Sequence, residues 1–211
     1  GIATAEALLL SEYAFTKYLP SDKKKEKQEL DTTSIQWTDS KTQKQFEETL
    51  RKGRIIAENT NYARNLVNEP ANVVTPTHLE NEAKNIASKL KSVTIKILNR
   101  QDMEKEGMNS LLAVARGSIE PPKFRILEYK GDSNSKSRKA IIGKGITFDS
   151  GGYDVKPAGK FVDMKCDMSG AAAVLGTIKT AAELRLKQNI VGVIPTCENM
   201  ISANAYRPGD I

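Results

Sequence analysis

Two lysines and two aspartates fall in one stretch of the chain: Lys144, Asp149, Lys156 and Asp167. Carboxylate oxygens are ligands for hard divalent ions, and zinc accepts them too. A lysine amine can join such a site only when it is neutral. Burial and a neighbouring cation both push it that way. Lys144, set among glycines and apolar residues, fits that description. A lysine that stays protonated can instead polarise a carbonyl, a role open to Lys156. Asp167 opens an alanine-rich helical pattern, and Asp149 lies in Gly143-Lys144-Gly145-Ile146-Thr147-Phe148-Asp149-Ser150-Gly151-Gly152. That segment follows a buried-strand pattern ending at Ile142, and α/β proteins gather ligands at the carboxyl ends of strands.

Other chemistries read less well against the same residues. A phosphate loop needs Gly-x-x-x-x-Gly-Lys-Ser/Thr or Gly-x-Gly-x-x-Gly. Here Phe148 stands where the third glycine belongs. A nucleophile elbow at Ser150 needs glycine two residues before and two after. Gly152 fits and Phe148 does not. A plain structural reading stays level with the metal one. Asp167 could be a helix N-cap, and the glycines could simply make a tight turn.

Composition narrows the field further. The chain has 211 residues, a single histidine and two cysteines, Cys166 and Cys197. One histidine, His78, excludes sites built on two or three, and it sits in a helix-start signal, Thr75-Pro76-Thr77-His78. The two cysteines give no disulfide framework and read as reduced thiols. Hydrophobic residues make up 39% and charged residues 27%, the balance of a soluble globular chain. No apolar run reaches the roughly 18 residues of a membrane span. The first segment has no basic start or small-residue cleavage site, which argues against a signal peptide. The chain begins at Gly1, so an N-terminal part is expected to be absent. The net charge is +6. Part of it lies in Lys23-Lys24-Lys25-Glu26-Lys27 and Lys136-Ser137-Arg138-Lys139. These read as solvated loops. Nucleic-acid contact is permitted by charge, but no aromatic interleaving or recognition motif supports it.

The elements that must position these residues come from periodicity. Ala5, Leu9 and Tyr13 predict a helix over 1–18, broken at Pro20. Ile35 to Thr38 predicts a short strand. A long helix runs over about 44–66 and ends before Pro70. Leu79, Ala83, Ile86 and Leu90 mark an amphipathic helix. Val93, Ile95 and Ile97 alternate as a strand, and a helix is expected near 102–108. Further strands are expected at 124–129, 139–142 and 190–194, with a helix from about 171 to 182. Alternating helix and strand predict an α/β domain with a parallel or mixed sheet. The domain boundaries drawn are 1–45 as the tail of one domain, 46–66 as a connecting helix, and 67–211 as the start of a second. An unfinished sheet would leave the 190–194 strand without a neighbour.

The segment from Lys144 to Gly152, followed by Lys156-Pro157, Met164 and Asp167-Met168-Ser169-Gly170-Ala171-Ala172, closely resembles the leucyl (cytosol) aminopeptidase family. So do Asn68-Glu69-Pro70-Ala71-Asn72, Thr75-Pro76, Gly107-Met108, Ala115-Arg116-Gly117-Ser118, Cys197-Glu198-Asn199-Met200 and Arg207-Pro208-Gly209-Asp210. The resemblance spans about residue 46 onward. It implies a cytosolic, cytoplasmic exopeptidase that removes the N-terminal residue of peptides, with leucine-type preference. It implies two divalent ions, zinc or manganese, or magnesium. Lys144, Asp149 and Asp167 would be metal ligands, Asp149 bridging both ions. Lys156 would be the catalytic lysine. Met164 would line the substrate pocket, with Lys156 and Asp167 also touching substrate. The implied fold is a three-layer αβα catalytic domain with a mixed sheet, preceded by a smaller α/β domain and a connecting helix, assembled as a homohexamer. Tyr153-Asp154-Val155 departs from the apolar-Ser-apolar triplet of many members. The family's Asn-Thr-Asp-Ala-Glu-Gly-Arg motif, with its remaining ligands and arginine, is expected beyond Ile211. The rival classes are a nucleic-acid-binding protein on the same scaffold and a non-catalytic homologue.

Overall fold

The structure is a computed structural model that describes residues 1–25, 32–202 and 207–211. Glu26 and Lys27 of the first basic run lie outside the described residues. The chain divides into two compact units, Gly1–Tyr62 and Ala63–Ile211, and the division falls inside the long helix.

The first unit holds α1 (Ile2–Ser11), α2 (Ser21–Lys25) and the front of α3 (Gln43–Asn68). The helix expected over 1–18 is shorter. Glu12 caps it through its backbone N–H to Leu8, and Phe15 and Tyr18 then meet edge to face. Asn61 on α3 donates to the Leu9 carbonyl of α1. The strand expected at 35–38 is absent: residues 32–39 have no regular structure. Trp37 stacks on Phe46 with ring centroids 4.0 Å apart, and its indole N–H reaches Thr42. One face of the indole thus rests on α3 while the side chain stays 45% exposed, and no strand pairing is made.

The second unit is an α/β domain built on a five-stranded mixed sheet with helices on both sides. After α3 come α4 (Pro76–Lys89), β1 (Val93–Leu98), α5 (Arg100–Lys105) and α6 (Asn109–Val114). Then follow β2 (Lys123–Lys130), β3 (Lys139–Ile142), β4 (Gly145–Asp149), α7 (Ala158–Phe161), a 3-10 turn over Val162–Cys166, α8 (Ser169–Glu183) and β5 (Asn189–Asn199). Thr75 caps α4, accepting from the His78 N–H, with Pro76 behind it. The α8 pattern buries Ala171, Ala172, Val174, Leu175, Ile178, Ala181 and Ala182. Small alanines let that helix approach the strands closely, and Val174 and Ile178 lie against Gly192 of β5.

β1 and β2 pair antiparallel, as do β2 and β5, while β3 and β4 both run parallel to β5. β5 is therefore interior. The 190–194 strand expected to lack a neighbour has β2 on one side and β3 on the other. Two separate strands share its second side because the chain breaks at Gly143-Lys144. β3 ends on Val193 and β4 resumes at Thr196. The stretch whose glycines suggest a tight turn is thus half strand, Gly145–Asp149. α7 and the 3-10 turn had no counterpart in the sequence reading. Among the described residues, no helix is long and apolar enough to cross a membrane.

Candidate metal and active site

The break between β3 and β4 builds the site. α8 points its first turn at it: the Ala171 N–H donates to the Lys144 carbonyl at 2.9 Å. A side chain on Gly143 would strike the Gly170 carbonyl at 2.2 Å, and one on Gly170 would strike the Lys144 nitrogen at 2.7 Å. Two glycines facing each other thus let helix and strand touch. The contact brings Asp167, just before α8, to Lys144: Nζ to Oδ2 is 3.1 Å. Asp167 is not the helix cap. α8 starts after Met168 without a side-chain cap, which leaves the carboxylate to the site.

At the other end of β4 the chain turns sharply. Gly151 and Gly152 take φ of +89° and +71°, the region glycine enters without cost. The Ser150 N–H and hydroxyl both donate to the Asn199 carbonyl, and the Lys156 N–H donates to the Ser150 carbonyl. The turn returns Lys156 to Asp149, with Nζ 3.1 Å from Oδ2. Asp149 Oδ1 accepts from the Gly151 N–H at 3.0 Å and from the Asn199 amide at 2.7 Å. The result is two lysine–aspartate pairs, one on each side of β4.

The two carboxylates differ electrostatically. Burial works to raise Asp149, but the Gly151 N–H, the Asn199 amide and the Lys156 ammonium hold it below the ordinary carboxylate value. Burial also raises Asp167, Lys144 only partly opposes it, and the Asp149 carboxylate pushes it further up. The two acids therefore sit close enough to repel each other. Asp167 Oδ2 is buried and accepts no directed hydrogen bond despite the nearby ammonium. Two carboxylates that repel each other favour a cation between them. Lys144, expected from its glycine and apolar neighbours to be buried, is instead 59% exposed and ion-paired with Asp167, because the chain break between the strands leaves its side chain at the surface. It could join a donor set only as the free amine. The residues fit a divalent metal. They are few: among the described residues no group of three or more His, Cys, Asp or Glu could hold an ion.

Met164 packs with Phe161 against the buried cluster of Ala71, Phe148 and Met200, so its thioether lies beside the strand that carries Asp149. Lys165 and Cys166 tie the turn before Asp167 to the end of α3, through the Asn68 and Val67 carbonyls. Both cysteines are free thiols, and burial pushes Cys197 up to about 12. Asn199 and Glu198 carried no role in the sequence reading. Glu198 is buried and takes the Arg207 guanidinium at 2.6 Å and the Ser118 hydroxyl. Asn199 reaches the site only because β4 and β5 set it beside Asp149 across 50 positions of sequence. No local pattern signals that contact.

The chain is similar to known proteins in sequence and in fold. A Clostridium tetani protein described as a probable cytosol aminopeptidase is 42% identical over 206 residues, covering 98% of this chain. A Methylibium petroleiphilum protein of the same description is 49% identical over 162 residues, 77% of this chain. This chain spans 42% of the first relative's length and 33% of the second's. Among solved structures, bottromycin maturation enzyme BotP in complex with Mn matches with a TM-score of 0.77 and 32% identity, covering 99% of this chain and 42% of that one. The model of the cytosol aminopeptidase family catalytic domain matches residues 61–211, which hold β1 to β5 and all four site residues. On that match, the chain belongs to the cytosol aminopeptidase family.

Proposed function

We propose that the chain supplies the lysine–aspartate part of a two-metal aminopeptidase centre, acting on peptides with a free N-terminus and favouring leucine-type residues. The observation that carries it is the pairing itself: Lys144 on Asp167 and Lys156 on Asp149, each at 3.1 Å. In this reading Lys144, Asp149 and Asp167 would hold the divalent ions, with further carboxylates supplied by residues other than these. Two divalent ions, zinc, manganese or magnesium, would supply Lewis acidity and a water acidified toward neutral pH.

The chain's own residues do the rest. Lys156 presents its ammonium beside Asp149, where a scissile carbonyl bound at that carboxylate would develop negative charge. Asp149 keeps Lys156 in place and, held below the ordinary carboxylate value, stays ionised at neutral pH. Asp167, ion-paired with Lys144, offers its carboxylate to the cationic side of the substrate complex. Met164 and Phe161 form an apolar wall suited to an aliphatic N-terminal side chain. A cytoplasmic homohexamer is the assembly this reading expects.

The test uses the full chain as its organism makes it, assayed on a leucine amide with manganese or zinc. Asp149→Asn is expected to abolish turnover and lower metal content, because one carboxylate serves both ions. Wild-type turnover with full metal occupancy in that variant sinks the ligand assignment.

A further inference from the structure

We infer that Asn199 is a positioning residue for the metal site, fixing which oxygen of Asp149 is presented to a cation. The inference rests on the reading of Asp149 as a ligand. Asn199 ends β5 and makes three contacts with the Asp149 turn. Its side-chain amide donates to Asp149 Oδ1 at 2.7 Å. Its carbonyl accepts from the Ser150 N–H at 2.9 Å and from the Ser150 hydroxyl at 2.7 Å. Its side-chain oxygen lies 3.1 Å from where a Gly152 Cβ would sit, so the Gly151-Gly152 turn folds directly over it.

These contacts divide the work between the two Asp149 oxygens. Oδ1 is engaged by two neutral donors, the Gly151 N–H and the Asn199 amide. Oδ2 pairs with the Lys156 ammonium. A carboxylate rotates about its terminal torsion with little resistance, because that well is broad. Without the amide, one short hydrogen bond fewer holds the plane of the group. Partners of this kind orient metal-binding groups, and their loss typically costs roughly 10–100-fold in metal affinity or activity. Side-chain replacement leaves the two main-chain contacts to Ser150 in place, so the effect of the amide can be isolated.

The experiment compares Asn199→Ala and Asn199→Leu, the second close in shape but unable to donate, in the full chain as its organism makes it. Mn2+ alone is titrated by calorimetry, leucine-amide kinetics are measured, and thermal unfolding reports the fold. Expected are a roughly 10–100-fold weaker Mn2+ affinity in both variants and a fall in kcat with KM little changed. Folded variants with Mn2+ affinity within about twofold of wild type overturn the assignment. If both variants fail to fold, Asn199 is a folding residue and the assignment is again overturned. Asp149→Asn is run alongside. If it keeps wild-type Mn2+ affinity, the ligand reading has failed, which is a different outcome from failure of the Asn199 inference.

Discussion

A lysine that holds a metal and a lysine that holds an oxyanion look alike in sequence, and the structure treats them differently. Lys144 is more than half exposed and meets Asp167 across the chain break, whereas Lys156 is a third exposed and is returned to Asp149 by a turn braced by the Lys156 N–H on the Ser150 carbonyl, the Gly151 N–H on Asp149 Oδ1 and the Gly152 N–H on the Ser150 hydroxyl. That braced geometry suits a donor that must not move during reaction. Lys156→Ala should therefore lower kcat by roughly 10²–10³, the usual cost of one missing oxyanion donor, and leave Mn2+ stoichiometry intact. Loss of bound metal in that variant would make Lys156 a ligand instead. The four charged site residues were singled out by the resemblance of their segment to the family, since residue type and spacing alone left a metal reading level with a plain structural one. Asn199 and Glu198 carried no role there, since an amide or a buried acid gains its role only from strand register. Asp167 was ambiguous, because an aspartate before a helix reads equally as a cap. Only the start of α8 after Met168 separates the two.

Among the elements, the contact between α8 and the β3–β4 break decides whether Lys144 and Asp167 meet. Its closeness depends on Gly143 and Gly170, whose missing side chains would each strike backbone atoms that cannot yield. An exposed helical glycine replaced by alanine normally gains about 0.5–1 kcal/mol. At Gly170 the clash should reverse the sign, to a loss of about 1–3 kcal/mol. Gly159 in α7 is the internal control, because a side chain there meets nothing within 4 Å. Urea unfolding of Gly170→Ala and Gly159→Ala should move the midpoint in opposite directions, and a Gly170→Ala chain as stable as wild type refutes the close-contact argument. The sequence reading found the long helices and the alternating strands, whose periodicity runs over enough residues to speak. No strand is predicted at β4, because Gly143, Gly145, Gly151 and Gly152 crowd its ends and read as a tight turn. The alternation at 35–38 predicts a strand because it cannot show that Trp37 stacks on Phe46 instead.

For the molecule as a whole, the sheet has one open side that matters. β5 is paired on both flanks, but β3 presents Ile142 at 74% exposure and is exposed along most of its length. An uncovered edge of this kind invites pairing with another chain. The metal side is likewise short of groups. Asp149 and Asp167 are two carboxylates, and among the described residues no third acid, histidine or cysteine joins them. Three donors, counting the Lys144 amine, can hold one ion, since catalytic zinc sites work with three protein ligands. A second ion would share only Asp149. Residues 1–211 expressed alone should therefore bind at most one Mn2+ per chain, show no turnover of a leucine amide, and self-associate as concentration rises. Calorimetric stoichiometry, a metal-titrated amide assay and sedimentation together decide it. Two ions per chain with turnover like that of a full-length relative would show that these residues already form a complete centre, and would remove the need for carboxylates from outside them.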